Sequence, residues 1–143
     1  GWPADFGDSP LAEEVTLYGM WAPAINEVSD VSQQFYDGYV DTYDETPATY
    51  FGPLSYSAIY IIAEAVERAG TLEKEAVIAE LKDTSYESPL GETIGFSPSN
   101  VISNQGIRNQ KILQWQDGEQ EVLWPFEYST ADPAYPFTPW TER

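Results

Sequence analysis

The sequence predicts an α/β protein whose own strands are too few to complete a sheet. Two observations carry that expectation. The segments run in the order strand, three helices, strand, hairpin, and the helices offer more apolar face than such short strands can cover. With 143 residues, 42% of them hydrophobic, the chain has the size of one ordinary domain. The excess of apolar helix surface nevertheless predicts a fragment, shaped against polypeptide that lies outside this sequence.

Residues 15–20 alternate Val15, Leu17 and Gly19 with Thr16 and Tyr18, the pattern of a short strand. Trp21-Ala22-Pro23-Ala24 follows, and Pro23 holds its neighbour extended, which predicts a stiff crossing rather than a helix start. Asn26 or Ser29 can cap a helix reaching about Tyr43. Its apolar face is Val28, Val31, Phe35, Tyr39 and Tyr43, with Tyr36 and Val40 beside them, and Asp30, Gln33, Gln34, Asp37 and Asp41 point to solvent. After polar turn chemistry at 44–47 and a short loop at 48–52, a long helix is expected from Pro53 to Ala69, closed by Gly70. Its residues are apolar nearly all round as far as Glu64, which predicts deep packing. Thr71 can cap a third helix, Glu73 to about Lys82, with Ala76, Val77, Ile78 or Ala79, and Leu81 inward. Pro89-Leu90-Gly91 turns into a strand at 92–96, and a polar stretch covers 97–110. Lys111–Gln116, Asp117-Gly118 and residues 120–124 form a β-hairpin. The aromatic- and proline-rich segment 125–143 is expected to be ordered and to hug the surface, since it carries too many large rings for a flexible linker.

Composition removes whole classes of chemistry. The absence of Cys and His excludes disulfides, thiolate nucleophiles, the commonest metal ligand and the commonest general base. No cofactor and no metal are expected. Asp37, Asp41, Asp44 and Glu45 form the densest acidic cluster, but they do not follow a calcium-loop pattern. Phosphate loops, dinucleotide fingerprints and nucleophile elbows are likewise absent. The remaining catalytic option is a carboxylate pair. A net charge of −18 argues against nucleic acid and anionic lipid surfaces as partners. With 24 acidic residues and only 6 Lys plus Arg, the surface suits a high-salt habitat, where screening relieves self-repulsion. Thermal stability is then expected to rise from low to molar salt, and a melting temperature indifferent to salt would refute the idea. No apolar run approaches the roughly 20 residues that cross a bilayer, so any signal peptide or lipid anchor is expected upstream of Gly1.

Aromatic residues make up 15% of the chain, and many sit in or beside loops: Trp2, Trp21, Tyr50, Phe51, Trp124, Tyr135 and Trp140. Such residues either line pockets or cover the ends of a sheet.

An ordered set of segments carries a family resemblance. These are Phe35-Tyr36-Asp37-Gly38-Tyr39, Thr46-Pro47-Ala48-Thr49-Tyr50-Phe51-Gly52, Tyr56-Ser57-Ala58-Ile59-Tyr60, Pro89-Leu90-Gly91, Gln114-Trp115-Gln116-Asp117-Gly118 and Trp124-Pro125. Together they resemble the C-terminal portion of the leucine/isoleucine/valine-binding type of ABC-transporter solute-binding protein, and the resemblance covers nearly the whole chain. It implies an incomplete periplasmic-binding-protein-like type I fold containing parts of both lobes and a C-terminal β-hairpin. Residues 1–20 would end the second lobe, 21–27 would cross the hinge, 28–96 would supply first-lobe helices and a strand, and 97–143 would return to the second lobe as hairpin and tail. Phe51 matches the aromatic residue that lines the solute's side-chain pocket, with Tyr50 beside it. Trp2 would lie in a loop near the cleft and Trp21 near the hinge.

The implied function is extracytoplasmic capture of an amino-acid-like solute between closing lobes, delivered to the membrane permease of an ABC importer. Relatives take branched-chain or other amino acids, amides, urea or aromatic acids. Two alternatives stand beside it: a ligand-sensing receptor ectodomain of the same fold, and a carboxylate-dependent carbohydrate hydrolase. Because most of the groups that clamp an amino acid would lie upstream of Gly1, the chain alone is expected to bind no solute with useful affinity.

Overall fold

A computed structural model describes residues 4–108 and 110–142. Strand β1 (Thr16–Gly19) is followed by helices α1 (Asp30–Tyr43), α2 (Phe51–Ala69) and α3 (Lys74–Leu81). Four more strands come next: β2 (Tyr86–Glu87), β3 (Thr93–Ile94), β4 (Lys111–Gln116) and β5 (Glu119–Trp124). The principal sheet is antiparallel, in the order β1-β4-β5, and β2 pairs with β3 in a separate two-stranded ladder. Leu17 faces Leu113 across the first pair, and Leu113 faces Val122 across the second.

Local chemistry explains most boundaries. Ser29 caps α1, its hydroxyl accepting the Ser32 N–H, and Asp44 ends the helix in the left-handed region at φ 55°. Gly70, at φ 62°, closes α2 and donates its N–H to Val66 O. Asp117 (φ 53°) and Gly118 (φ 84°) are both left-handed, the pair of conformations that a two-residue hairpin turn requires.

Several expectations are corrected. Ala22 is extended, as Pro23 demands, yet Pro23 itself opens a 3-10 helix over Pro23–Glu27. At the first helical position its missing N–H forfeits no bond, so the proline starts a turn that the sequence reading denied it. Helix α2 begins at Phe51 rather than Pro53, with Tyr50 at the cap and Leu54 N–H already donating to Tyr50 O. Helix α3 has Glu73, not Thr71, at its N-cap position, with no side-chain capping bond. The Thr71 hydroxyl instead accepts the Glu73 N–H, holding the connection from outside the helix. The strand expected at 92–96 shrinks to Thr93–Ile94 and finds a partner in β2, a strand the periodicity did not announce.

Deep packing of α2 is also overturned. Only the row Pro53, Ser57, Ile61 and Ala65 is buried, one residue per turn, while Ile59 is 67% exposed and Tyr56, Tyr60 and Ile62 also face outward. The buried row meets a core of Trp21, Ala22, Ile25, Leu90, Ile94, Leu113 and Val122. On its far side α2 packs α3, where Arg68 donates to Glu80 O (2.9 Å) and pairs with the Glu80 carboxylate at 3.4 Å.

The C-terminal segment is ordered as expected and crosses the sheet as a strap. Thr130 exchanges bonds with Val122 of β5, Ala134 brackets the buried Gln114 amide of β4, and Thr138 donates to the Glu14 carboxylate beside β1. Gln114, 1% exposed, is the central peg: its amide also donates to Glu14 O and Thr16 Oγ1.

Candidate functional site

The loop 46–50 and the first turn of α2 form one rigid corner. Pro47 is buried, and the Thr49 hydroxyl accepts the Phe51 N–H while Thr49 O accepts that of Gly52. These bonds meet donors that a helix start would otherwise leave unsatisfied. They fix Phe51, 58% exposed, at the head of the helix, its ring tilted by 35° against that of the half-buried Tyr50 at 4.6 Å. A large exposed ring held on a capped helix start presents apolar surface with little further entropy to lose.

Behind this corner an aromatic seam joins α1 to α2. Phe35 lies 6.2 Å from Trp21, 6.0 Å from Tyr39 and 5.2 Å from Tyr56, and Tyr56 stacks on Tyr60 at 4.5 Å. An open groove of about 370 Å³ runs along the seam, lined by Phe35, Tyr39, Tyr43, Gly52 and Tyr56 among others. The Tyr56 phenol is pushed up to about 12, first by its hydrogen bond with Tyr60 and then by burial.

The predicted aromatic residues thus separate. Phe51 and Tyr50 are brought together at the surface. Trp21 is 2% exposed and belongs to the core: its indole N–H donates to Ser32 Oγ at 2.7 Å, and that hydroxyl donates to Asn26 Oδ1 at 2.7 Å. The chain of bonds fixes the 3-10 turn against α1. Trp2 lies outside the described residues.

A second, smaller cleft of about 170 Å³ separates the same corner from the hairpin tip, between Pro23, Thr46, Pro47 and Ala48 on one side and Trp115 and Gly118 on the other. Sequence reasoning missed Trp115 as a wall of this cleft and missed Ser32 as the anchor of Trp21. The signal available for Ser32 was its place between Val31 and Phe35 on the inward arc of α1, where a polar residue needs a partner.

Among the described residues, no helix is long and apolar enough to cross a membrane, and no group of three or more acidic side chains is placed to hold a metal ion.

A family model described as periplasmic binding protein matches residues 6–120. The structure is similar to a leucine-binding protein LivK from Thermotoga maritima, with TM-score 0.63 and 20% identity over 80% of this chain. It is similar also to a protein from Rhodospirillum rubrum described as a branched-chain amino acid ABC transporter, with TM-score 0.62 and 22% identity over 85% of this chain. The chain spans 31% and 34% of those two chains, respectively. No curated protein matches it. The architecture is therefore part of a periplasmic-binding-protein type I fold, and the chain belongs to the periplasmic binding protein family.

Proposed function

We propose that the chain is the C-terminal part of an extracytoplasmic solute-binding component of an ABC importer, holding an amino-acid-like solute between two lobes and presenting it to a membrane permease. The observation that carries this reading is the Phe51 ring, exposed at the head of α2 and backed by Tyr50. A ring so placed suits an aliphatic side chain, which gains from burial in proportion to its area. Trp2 is proposed as a further wall of the same cleft, and Trp21 as a hinge support acting through Ser32 and Phe35.

Residues 1–20 and 97–143 would belong to the second lobe, 28–96 to the first, and 21–27 to the crossing between them. The outward apolar face of α2 supports an arrangement in which further polypeptide packs on it, in keeping with the third of the relatives' length that this chain spans. Binding without catalysis is the reading in keeping with the family.

Calorimetry on the two-lobed protein against a panel of amino acids, amides, urea and aromatic acids tests the proposal. One class is expected to bind, with Phe51→Ala weakening it at least about tenfold through lost apolar contact. Heat from no member of the panel, or equal affinity in the variant, would sink it.

A further inference from the structure

On the side of the molecule formed by β2, β3 and the 97–108 loop, the buried Thr84 Oγ1 and Lys111 Nζ have no hydrogen-bond partner among the described residues. Buried polar atoms are rarely left so, and each such atom asks for an explanation. Thr84 is 8% exposed and lines a pocket of about 450 Å³ together with Glu92, Gly95, Phe96, Arg108 and Tyr128. Lys111 is fully buried behind the lining, its ammonium 3.9 Å from Glu92 Oε1 and 5.0 Å above the Tyr128 ring.

The pocket is built rather than left over. A Cβ on Gly95 would stand 2.9 Å from Thr84 O, and one on Gly106 would stand 2.8 Å from the Phe96 ring, so the backbone passes as close as it can on both sides. Arg108 is held at the mouth, where its Nη2 donates to Ser97 Oγ, to Ser97 O at 3.0 Å and to Pro98 O at 3.2 Å. Among the described residues, its Nε and Nη1 donate to no protein acceptor, so one edge of the guanidinium fork remains for a ligand.

Charge is therefore arranged in order. A carboxylate, Glu92, sits inside with its lysine partner, a hydroxyl, Thr84, lies beside it, and a guanidinium stands at the entrance, with two rings as walls. A simple anion would meet Glu92, and a simple cation would meet Arg108. We propose that this pocket binds a small carboxylic acid bearing a hydrogen-bond donor on the adjacent carbon, with its carboxylate on Arg108 and its ammonium or hydroxyl on Glu92 and Thr84. The site is separate from the Phe51 corner and does not depend on the reading given to that corner.

The test is a titration of the isotopically labelled chain, followed by amide NMR, with alanine, lactate and propionate. Alanine or lactate at millimolar concentration is expected to shift the Gly95 and Gly106 signals and leave Gly52, at the head of α2, in place. Whichever of the two binds distinguishes an ammonium from a hydroxyl. Propionate, lacking the donor, is expected to bind at least about tenfold more weakly, and Arg108→Gln to weaken the better ligand by a similar factor, the loss of one charge-assisted hydrogen bond. Thr84→Val, which preserves shape, gives an independent reading should the arginine variant loosen the loop. Unmoved Gly95 and Gly106 signals, or equal affinity in both variants, would overturn the proposal.

Discussion

The three-stranded sheet and the α1–α2 layer both carry aromatic and aliphatic side chains, yet the sheet is strapped across the residues around Gln114 and the helical layer is open. The sheet is roofed by its own strap: Leu113 and Val122 are buried on one side, and on the other Gln114 is bonded to Ala134 and Thr138 to Glu14. The helical layer buries one row of α2 and leaves Tyr56, Ile59, Tyr60 and Ile62 facing outward. The contrast teaches where the fold is self-sufficient. Around Gln114 the sheet carries its own cover, with Tyr18, Ile112 and Trp124 exposed beyond it, whereas the helices present a face suited to more protein.

That contrast can be broken by substitution. Leu113→Ala is expected to cost about 2–5 kcal/mol through a cavity that its neighbours cannot fill, whereas Ile59→Ala, on the open face, should stay within about 0.5 kcal/mol. Urea unfolding of both variants measures the difference, and similar losses would erase the distinction between the two regions. Gln114→Ala is expected to cost about 1–3 kcal/mol, because it strands the Ala134 N–H and other partners under the strap. Limited proteolysis should then cut the segment beyond residue 130 faster than in the parent.

A subtler effect concerns Lys111. Burial pushes its pKa below the ordinary value of 10.5, against the opposing pull of Glu92 and Glu127. Between that lowered value and 10.5 the unfolded chain binds the proton that the folded chain has released, so the lysine's contribution to stability rises with pH in that window. Comparing Lys111→Met with the parent cancels the other titrating groups, and the stability difference should move in the parent's favour as pH climbs. Parallel pH profiles would contradict it. One substitution is expected to bring a small gain. Gly38 lies within α1 with open space where a Cβ would go, so Gly38→Ala should stabilise by about 0.5–1 kcal/mol in thermal unfolding.

What was legible in the sequence was local. The Ser29 cap, the Gly70 stop and the Asp117-Gly118 turn are each decided by a few neighbouring residues, and the structure has all three. What escaped was decided at a distance. In α2 the apolar residues run almost all the way round, so periodicity could not tell which row would be covered, and only Ser57, whose hydroxyl bonds back to Pro53 O, marks the buried side. Lys111, at the start of a strand, carries no local sign of its burial, which Glu92 and Tyr128 decide from distant parts of the chain. The candidate solute site was legible only through family resemblance, because nothing in the spacing of Tyr50 and Phe51 alone separates a pocket ring from a packing ring.

The pairing of β1 with β4 joins Thr16 to Gln114 and Gly19 to Lys111, so β1 hydrogen-bonds to residues made as many as 98 positions later. At roughly 5–20 residues per second of synthesis, β1 must wait several seconds after leaving the ribosome before its neighbour exists. During that interval the edge of β1 that β4 will occupy is bare, a row of unpaired backbone groups of the kind that invites wrong pairings.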